Sequence, residues 1–218
     1  EHAEDTDLSK NGAMHSGMVS TILGMSGKSA ASEEVMGARD IKLAEITRAR
    51  LHFAHVSTKG SVALIRNAKK RGVPVTCEAC PHHFTLTDEA VYTFDPNFKV
   101  NPPLRTQADV DAIVDGLIDG TIDAIASDHA PHSREKKEVE FNHAPNGVIG
   151  LETTVPISVT ELLQKRGMDL ARLVALLTIG PARILGIPAG TLAPGAQGDV
   201  TVLDLSAEYT IGSQFRSN

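Results

Sequence analysis

The sequence predicts an α/β fold of the TIM-type (β/α)8 barrel kind, and three features predict it. Short apolar runs alternate with amphipathic stretches in the order strand, helix, strand, helix, strand, which is the rhythm of a parallel sheet. Polar residues, histidines above all, gather just after the apolar runs, and a barrel brings all such strand ends to one face. No turn of the form G-x-G-x-x-G is present, so a doubly wound dinucleotide-binding sheet would lack its phosphate loop.

The chain opens with "EHAEDTDL", which reads as the end of a strand whose body lies upstream, with His2 at its exit. Residues 9–32, rich in Gly, Ser and Met, read as an irregular excursion. Ser32 followed by Glu33 and Glu34 marks a helix start, with carboxylates near the positive end of the dipole. Val35, Ala38, Ile41, Leu43 and Ile46 then carry the helix to about Arg50. "LHFAHVS" is a strand of β-branched and aromatic residues ending at His55 and Ser57. "SVALIRNAKKRG" is a helix closed by Gly72 after a basic last turn.

"VPVTCEACPHH" reads as the next strand, again ending in histidines. After the loop holding "NPPLR", "TQADVDAIVDGLIDG" is a helix, and "IDAIASDHAPH" opens with a buried strand that exits at Asp128, His129 and His132. Two helices follow, over 151–167 and 169–186, the second kinked or ended near Pro181. "GDVTVLDLS" alternates as a strand outside the rhythm. Residues 1–186 are therefore expected to form the C-terminal part of a barrel, and 187–218 the beginning of a small β-appendage.

The 218 residues are 41% hydrophobic and 22% charged, the balance of a globular protein. A net charge of −6 leaves no basic footprint for nucleic acid, and no apolar run is long enough to span a bilayer. Two cysteines make no disulfide framework, so the expected compartment is the cytoplasm.

His2, His55 and Asp128 stand at strand exits far apart in sequence, and imidazole and carboxylate are ligands for Zn²⁺ or a similar ion. Each has an ordinary reading too: a hydrogen-bonded loop histidine, or an aspartate capping a helix. Their coincidence on one barrel face favours the metal. "CEAC" is read as small hydrophobes of a buried strand, because no second C-x-x-C completes it and Cys₂His₂ sites need a longer separation. "KVNPPLR" can present Asn101 and Arg105 from a stiff segment, or be a surface turn. Asn146-Gly147 offers exposed backbone to a planar ligand, and "SREKKEVE" reads as a solvated surface.

Taken together, "HAED", "AHVS", "CPHH", "NPPLR", "SDHAPH", "APNGVIGLET" and "GTLAPGAQGDVTVLDL" closely resemble the dihydroorotases of the amidohydrolase superfamily, in one order across nearly the whole chain. The resemblance implies a binuclear zinc site, two ions per complete active site, that activates water for reversible conversion of N-carbamoyl-L-aspartate to L-dihydroorotate. By that likeness His2 and His55 ligate one ion and Asp128 the other. Asp128 also carries the proton, His132 holds the substrate carboxylate, and Asn101 with the Asn146-Gly147 backbone binds the ring edge. His129 is a supporting residue. A homodimer and association with a carbamoyltransferase are further expectations from the likeness.

The family's H-x-H pair, its first-strand arginine and its bridging Asp or carboxylated Lys do not occur here, and Asn146 stands where many members have an aromatic residue. The chain is thus expected to carry the second half of a barrel and to be inactive alone. Dihydropyrimidinase and allantoinase share the layout, and a non-catalytic scaffold of a carbamoyltransferase is a further alternative. Turnover of dihydrouracil would mark the first, and a partner half lacking H-x-H the last.

Overall fold

The computed structural model describes residues 1–208, 210–212 and 215. The stretch read as an irregular excursion is in fact a miniature βαβ unit. β1 (Met14–His15) and β2 (Gly27–Lys28) pair in parallel around α1 (Met18–Leu23). Gly24, in a left-handed conformation at φ 64°, ends α1 and lets the chain turn back. Short strands and many small residues concealed this unit, since neither carries a usable period.

α2 (Ala30–Thr47) starts earlier than the acidic signal indicated, because Ser29 is the cap and accepts from the Ala31 N–H. Glu33 serves another purpose: it is buried and receives the Ser57 and Thr58 N–H groups at 3.0 and 3.2 Å. β3 (Leu51–Phe53), β4 (Val75–Ala79) and β5 (Ala124–Ile125) form a parallel sheet in sequence order, with Phe53 opposite Cys77 and Ala79 opposite Ile125. Between them run α3 (Lys59–Lys70), the single turn α4 (Pro81–Thr85) and α5 (Gln107–Asp119). Each strand lies beside its predecessor, the progression of a singly wound barrel wall. Among the described residues the sheet remains an open arc.

α3 buries Ser61, Val62, Ile65 and Ala68 at helical spacing, capped by the Thr58 hydroxyl. α5 carries a capping box between Thr106 and Asp109 and ends at Gly120 with φ 88°. α6 (Arg134–Lys137) is not wholly solvated, because the Lys137 ammonium donates to the carbonyls of Pro96 and Pro145. α7 (Thr154–Ser158) continues as a π-helix over Val159–Lys165. The last helical stretch is split at Thr178 into α8 (Leu170–Leu177) and α9 (Ile179–Leu185), three residues ahead of Pro181, whose ring denies its neighbours a straight helix.

Ile65, Ile113, Leu117, Ile122, Leu162, Leu173 and Leu176 are sealed into one core between the sheet and its helices. Each such side chain contributes about 1.5–3 kcal/mol relative to exposure. Arg172 pins α8 to that core by donating to the carbonyls of Leu117 and Ile122 at 2.9 and 2.6 Å. Residues 198–206 form no strand, contrary to the alternating pattern, and Val202 is 91% exposed. A strand exists by its ladder, and no extended neighbour lies beside this segment among the described residues.

Candidate active site

The exit of β3 gathers the predicted ligands. The Glu1 backbone nitrogen donates to the His52 carbonyl and the Ala54 N–H to the Glu1 carbonyl, so the first residues run along β3. This sets His2 against His55: Nδ1 of one lies 2.9 Å from Nε2 of the other, with the rings edge to face. Asn101 packs beside them, its amide nitrogen donating to the Glu4 carboxylate at 2.8 Å and passing 3.1 Å from His2 Nε2. Asp128 leaves β5 close enough for its charge to act on His55. Burial and the neighbouring His2 push the His55 pKa down, while Asp128 opposes the shift, so the imidazole is neutral and has a lone pair to give.

Both His55 (φ 35°) and Asp128 (φ 46°) sit in the left-handed region, which non-glycine residues adopt at a cost and which concentrates at functional sites.

Two residues that the sequence reading missed complete this cluster. Glu4 lies 3.1 Å from His2 Nε2, accepts from the Asn101 amide at 2.8 Å, and takes the Lys28 ammonium at 2.8 Å. Lys28 also donates to the Asn101 oxygen at 2.8 Å. Burial raises the Glu4 pKa, but hydrogen bonds from Lys28, Asn101, Ser9 and His2 outweigh it and bring it down to about 2. Glu4 was visible in principle, since a residue two places on in an extended segment shares the face of His2. Lys28 had no signal, being inside the stretch taken as irregular.

These residues fit a divalent metal. With the proton on Nε2 shared with Glu4, His2 turns the Nδ1 lone pair toward His55, a carboxylate–imidazole arrangement that orients a ligand. The two nitrogens need separate only slightly to reach the roughly 3.3 Å spacing of tetrahedral zinc ligands, given Zn–N bonds of about 2.0 Å.

The second half of the site lies on loops. His132 Nε2 is 2.9 Å from the Asn146 carbonyl oxygen, so His132, Asn146 and Gly147 come together as expected. Gly147 is buried, not exposed: a Cβ there would lie 2.6 Å from the Ala130 carbonyl oxygen, and its φ is 144°. The Asn146 side chain is exposed. An open groove of about 900 Å³ runs past His132, Gly147, His82 and Thr85. His129 turns away to accept the Gly150 and Leu151 N–H groups.

Arg105 is not available to a substrate. It is buried, bonded to Ser57 Oγ, His15 Nδ1 and the Lys28 carbonyl, and paired with Glu33 at 3.6 Å. The cysteines also part company. Cys77 is sealed in β4, where burial pushes its thiol pKa up, whereas Cys80 is already beyond the strand, next to His82 and His83 on α4.

Residues 6–217 match the model of the amidohydrolase family. The chain is 58% identical over 203 residues to a protein named dihydroorotase from Pelotomaculum thermopropionicum, covering 93% of this chain and 48% of the relative. It is 51% identical over 217 residues to one of the same name from Acetivibrio thermocellus, covering 99% and 51%. The chain thus spans about half the length of the curated relatives it matches. Among solved structures, the L-hydantoinase (dihydropyrimidinase) from Arthrobacter aurescens superposes with a TM-score of 0.79 at 29% identity, over 91% of this chain and 46% of that one. A D-hydantoinase (dihydropyrimidinase) from Thermus sp. gives 0.71 at 28% identity, over 78% and 39%. Matched over nearly its whole length, and with histidines converging where its strands end, the chain belongs to the amidohydrolase family.

Proposed function

We propose that this chain works in a zinc-dependent cyclic amidohydrolase that interconverts N-carbamoyl-L-aspartate and L-dihydroorotate, in cytoplasmic pyrimidine synthesis. The observation that carries the reading is the meeting of His2 and His55, 53 positions apart, at 2.9 Å beside Asp128. The described strands supply one arc of the barrel wall for that enzyme.

Zinc ions, one held by His2 and His55 and the other by Asp128, would supply Lewis acidity toward water and the ring amide. The chain's own residues do the rest. Asp128 removes a proton from the attacking water and delivers it to the departing ring nitrogen, so the C–N bond breaks as the C–O bond forms and no net proton is consumed at the carboxylate. His132 binds the substrate carboxylate, held in place by the Asn146 carbonyl. The Asn101 amide and the Asn146-Gly147 backbone meet the ring edge. Glu4 and Lys28 fix Asn101 and His2 beforehand, which lowers the ordering cost of binding.

The test is turnover by the complete protein of L-dihydroorotate against dihydrouracil and hydantoin, before and after chelation and zinc readdition. Hydrolysis of dihydroorotate alone, lost with chelator and restored by zinc, is expected. The likeness to dihydropyrimidinase structures supports a second reading, a cyclic amidase of that specificity. Preference for dihydrouracil would establish it in place of the first. No turnover of any of the three by zinc-loaded protein would leave a scaffold.

A further inference from the structure

A second cluster of donor atoms lies outside the residues used above. Where β4 ends, the chain turns at Cys80 into α4, and Cys80, His82 and His83 each bring a donor atom within 4.8 Å of the others. All three are buried, at 0%, 8% and 3% exposure. Cys77 takes no part, its thiol directed to the Thr121 carbonyl.

The tautomers follow from the partners. His83 Nε2 is 2.9 Å from the Pro102 carbonyl oxygen, which only accepts, so Nε2 carries the proton and Nδ1 keeps a lone pair. That Nδ1 is buried without a partner, and so is His82 Nε2. Of the five buried side-chain N and O atoms lacking a partner among the described residues, three belong to this one turn: His82 Nε2, His83 Nδ1 and Thr85 Oγ1. A buried polar atom left without a partner is costly, so their concentration in one turn calls for a ligand.

We propose that Cys80, His82 and His83 form a second metal site, for a zinc-class divalent ion, separate from the His2–His55–Asp128 centre. One sulfur and two imidazole nitrogens are the donor set of borderline-soft ions and a poor one for Mg²⁺ or Ca²⁺. Donors of a tetrahedral site lie about 3.3–3.8 Å apart for bonds of about 2.0–2.3 Å, so the cluster closes by small side-chain shifts. The Pro102 carbonyl bonded to His83 orients that ring as metal-binding imidazoles require. His82 and Thr85 line the groove that also passes His132 and Gly147, which provides an entry path and leaves the fourth position to water or the Thr85 hydroxyl. On ligation the Cys80 thiol gives its proton to solvent, one per ion bound.

Cobalt(II) separates the two centres, because only this one contains sulfur. The full-length protein is stripped with chelator and titrated with cobalt(II), following near-ultraviolet absorption and metal content. A sulfur-to-cobalt charge-transfer band should appear, vanish in Cys80→Ser with the loss of one metal equivalent, and persist in Cys77→Ser and His55→Ala. His82→Gln, a polar replacement of similar length, should lose the same equivalent, and circular dichroism checks that each variant is folded. Absence of the band from the wild-type protein at saturating cobalt, or its survival in folded Cys80→Ser, overturns the proposal. The wild-type spectrum alone decides if the Cys80 variant does not fold.

Discussion

The two halves of the candidate site are held by different forces. Around His2 and His55, side chains hold side chains: Glu4, Lys28 and Asn101 close a ring of charge-assisted hydrogen bonds of 2.8 Å. Around His132, backbone holds the side chain, through the Asn146 carbonyl and a glycine whose missing Cβ makes room for the Ala130 carbonyl. The first arrangement depends on which residues are present and on their ionisation. The second depends on chain geometry. Metal binding needs fixed donors of defined protonation, whereas a carboxylate anchor needs mainly a cleft of the right shape.

The comparison breaks most sharply at Asp128, to which the proposed function gives both a ligand role and the proton path. Asp128→Asn in the complete enzyme should lower kcat by about 10³-fold or more, the range associated with loss of a general acid–base and its electrostatics, while circular dichroism stays unchanged. Near-normal turnover would remove Asp128 from the mechanism. In the backbone-held half, His132→Ala should raise KM about 10- to 100-fold, roughly 1.4–2.7 kcal/mol, with a smaller change in kcat. Unchanged KM would assign His132 to structure. Gly147→Ala should combine such a KM effect with a lowered melting temperature, because the new methyl meets backbone and φ 144° disfavours any side chain.

The charge-held half makes a pH prediction of its own. Glu4 has its pKa drawn down to about 2 from an ordinary 4.5, so it stabilises the fold fully above the ordinary value. That contribution fades as pH falls toward the folded value. Glu4→Gln should therefore melt close to the wild type near pH 2 and increasingly below it as pH rises from there to 4.5, with a constant difference at higher pH. A difference independent of pH would mean that Glu4 acts by shape. The smallest effect lies outside both halves. Thr106→Ala removes the cap of α5 and should cost about 1 kcal/mol in denaturant unfolding, with KM and kcat unaffected.

Much of this was legible in the residues, for reasons that differ by element. α3 and α5 were placed within a few residues because their apolar spacing and caps agree. His2, His55 and Asp128 could be singled out because strand ends collect polar groups in this architecture. The likeness supplied their assignment as ligands. The miniature βαβ unit of residues 14–28 was not legible, because strands of two residues show no alternation. Glu33 was misread because its partners, Ser57, Thr58 and Arg105, are distant in sequence, and a carboxylate near a helix start looks the same whether it serves the dipole or a buried network. "GDVTVLDLS" shows the converse, an alternating pattern without a neighbour to pair with.

The left-handed backbone at His55 and Asp128 carries an evolutionary consequence. Asparagine occupies that conformation more readily than most residues and is nearly isosteric with aspartate. Drift at position 128 toward asparagine would meet little resistance from folding and would leave an abundant, well-folded, inert protein. On the proposed function, selection at this position acts on chemistry and not on folding, and a population released from the need for that reaction should lose Asp128 before it loses the core.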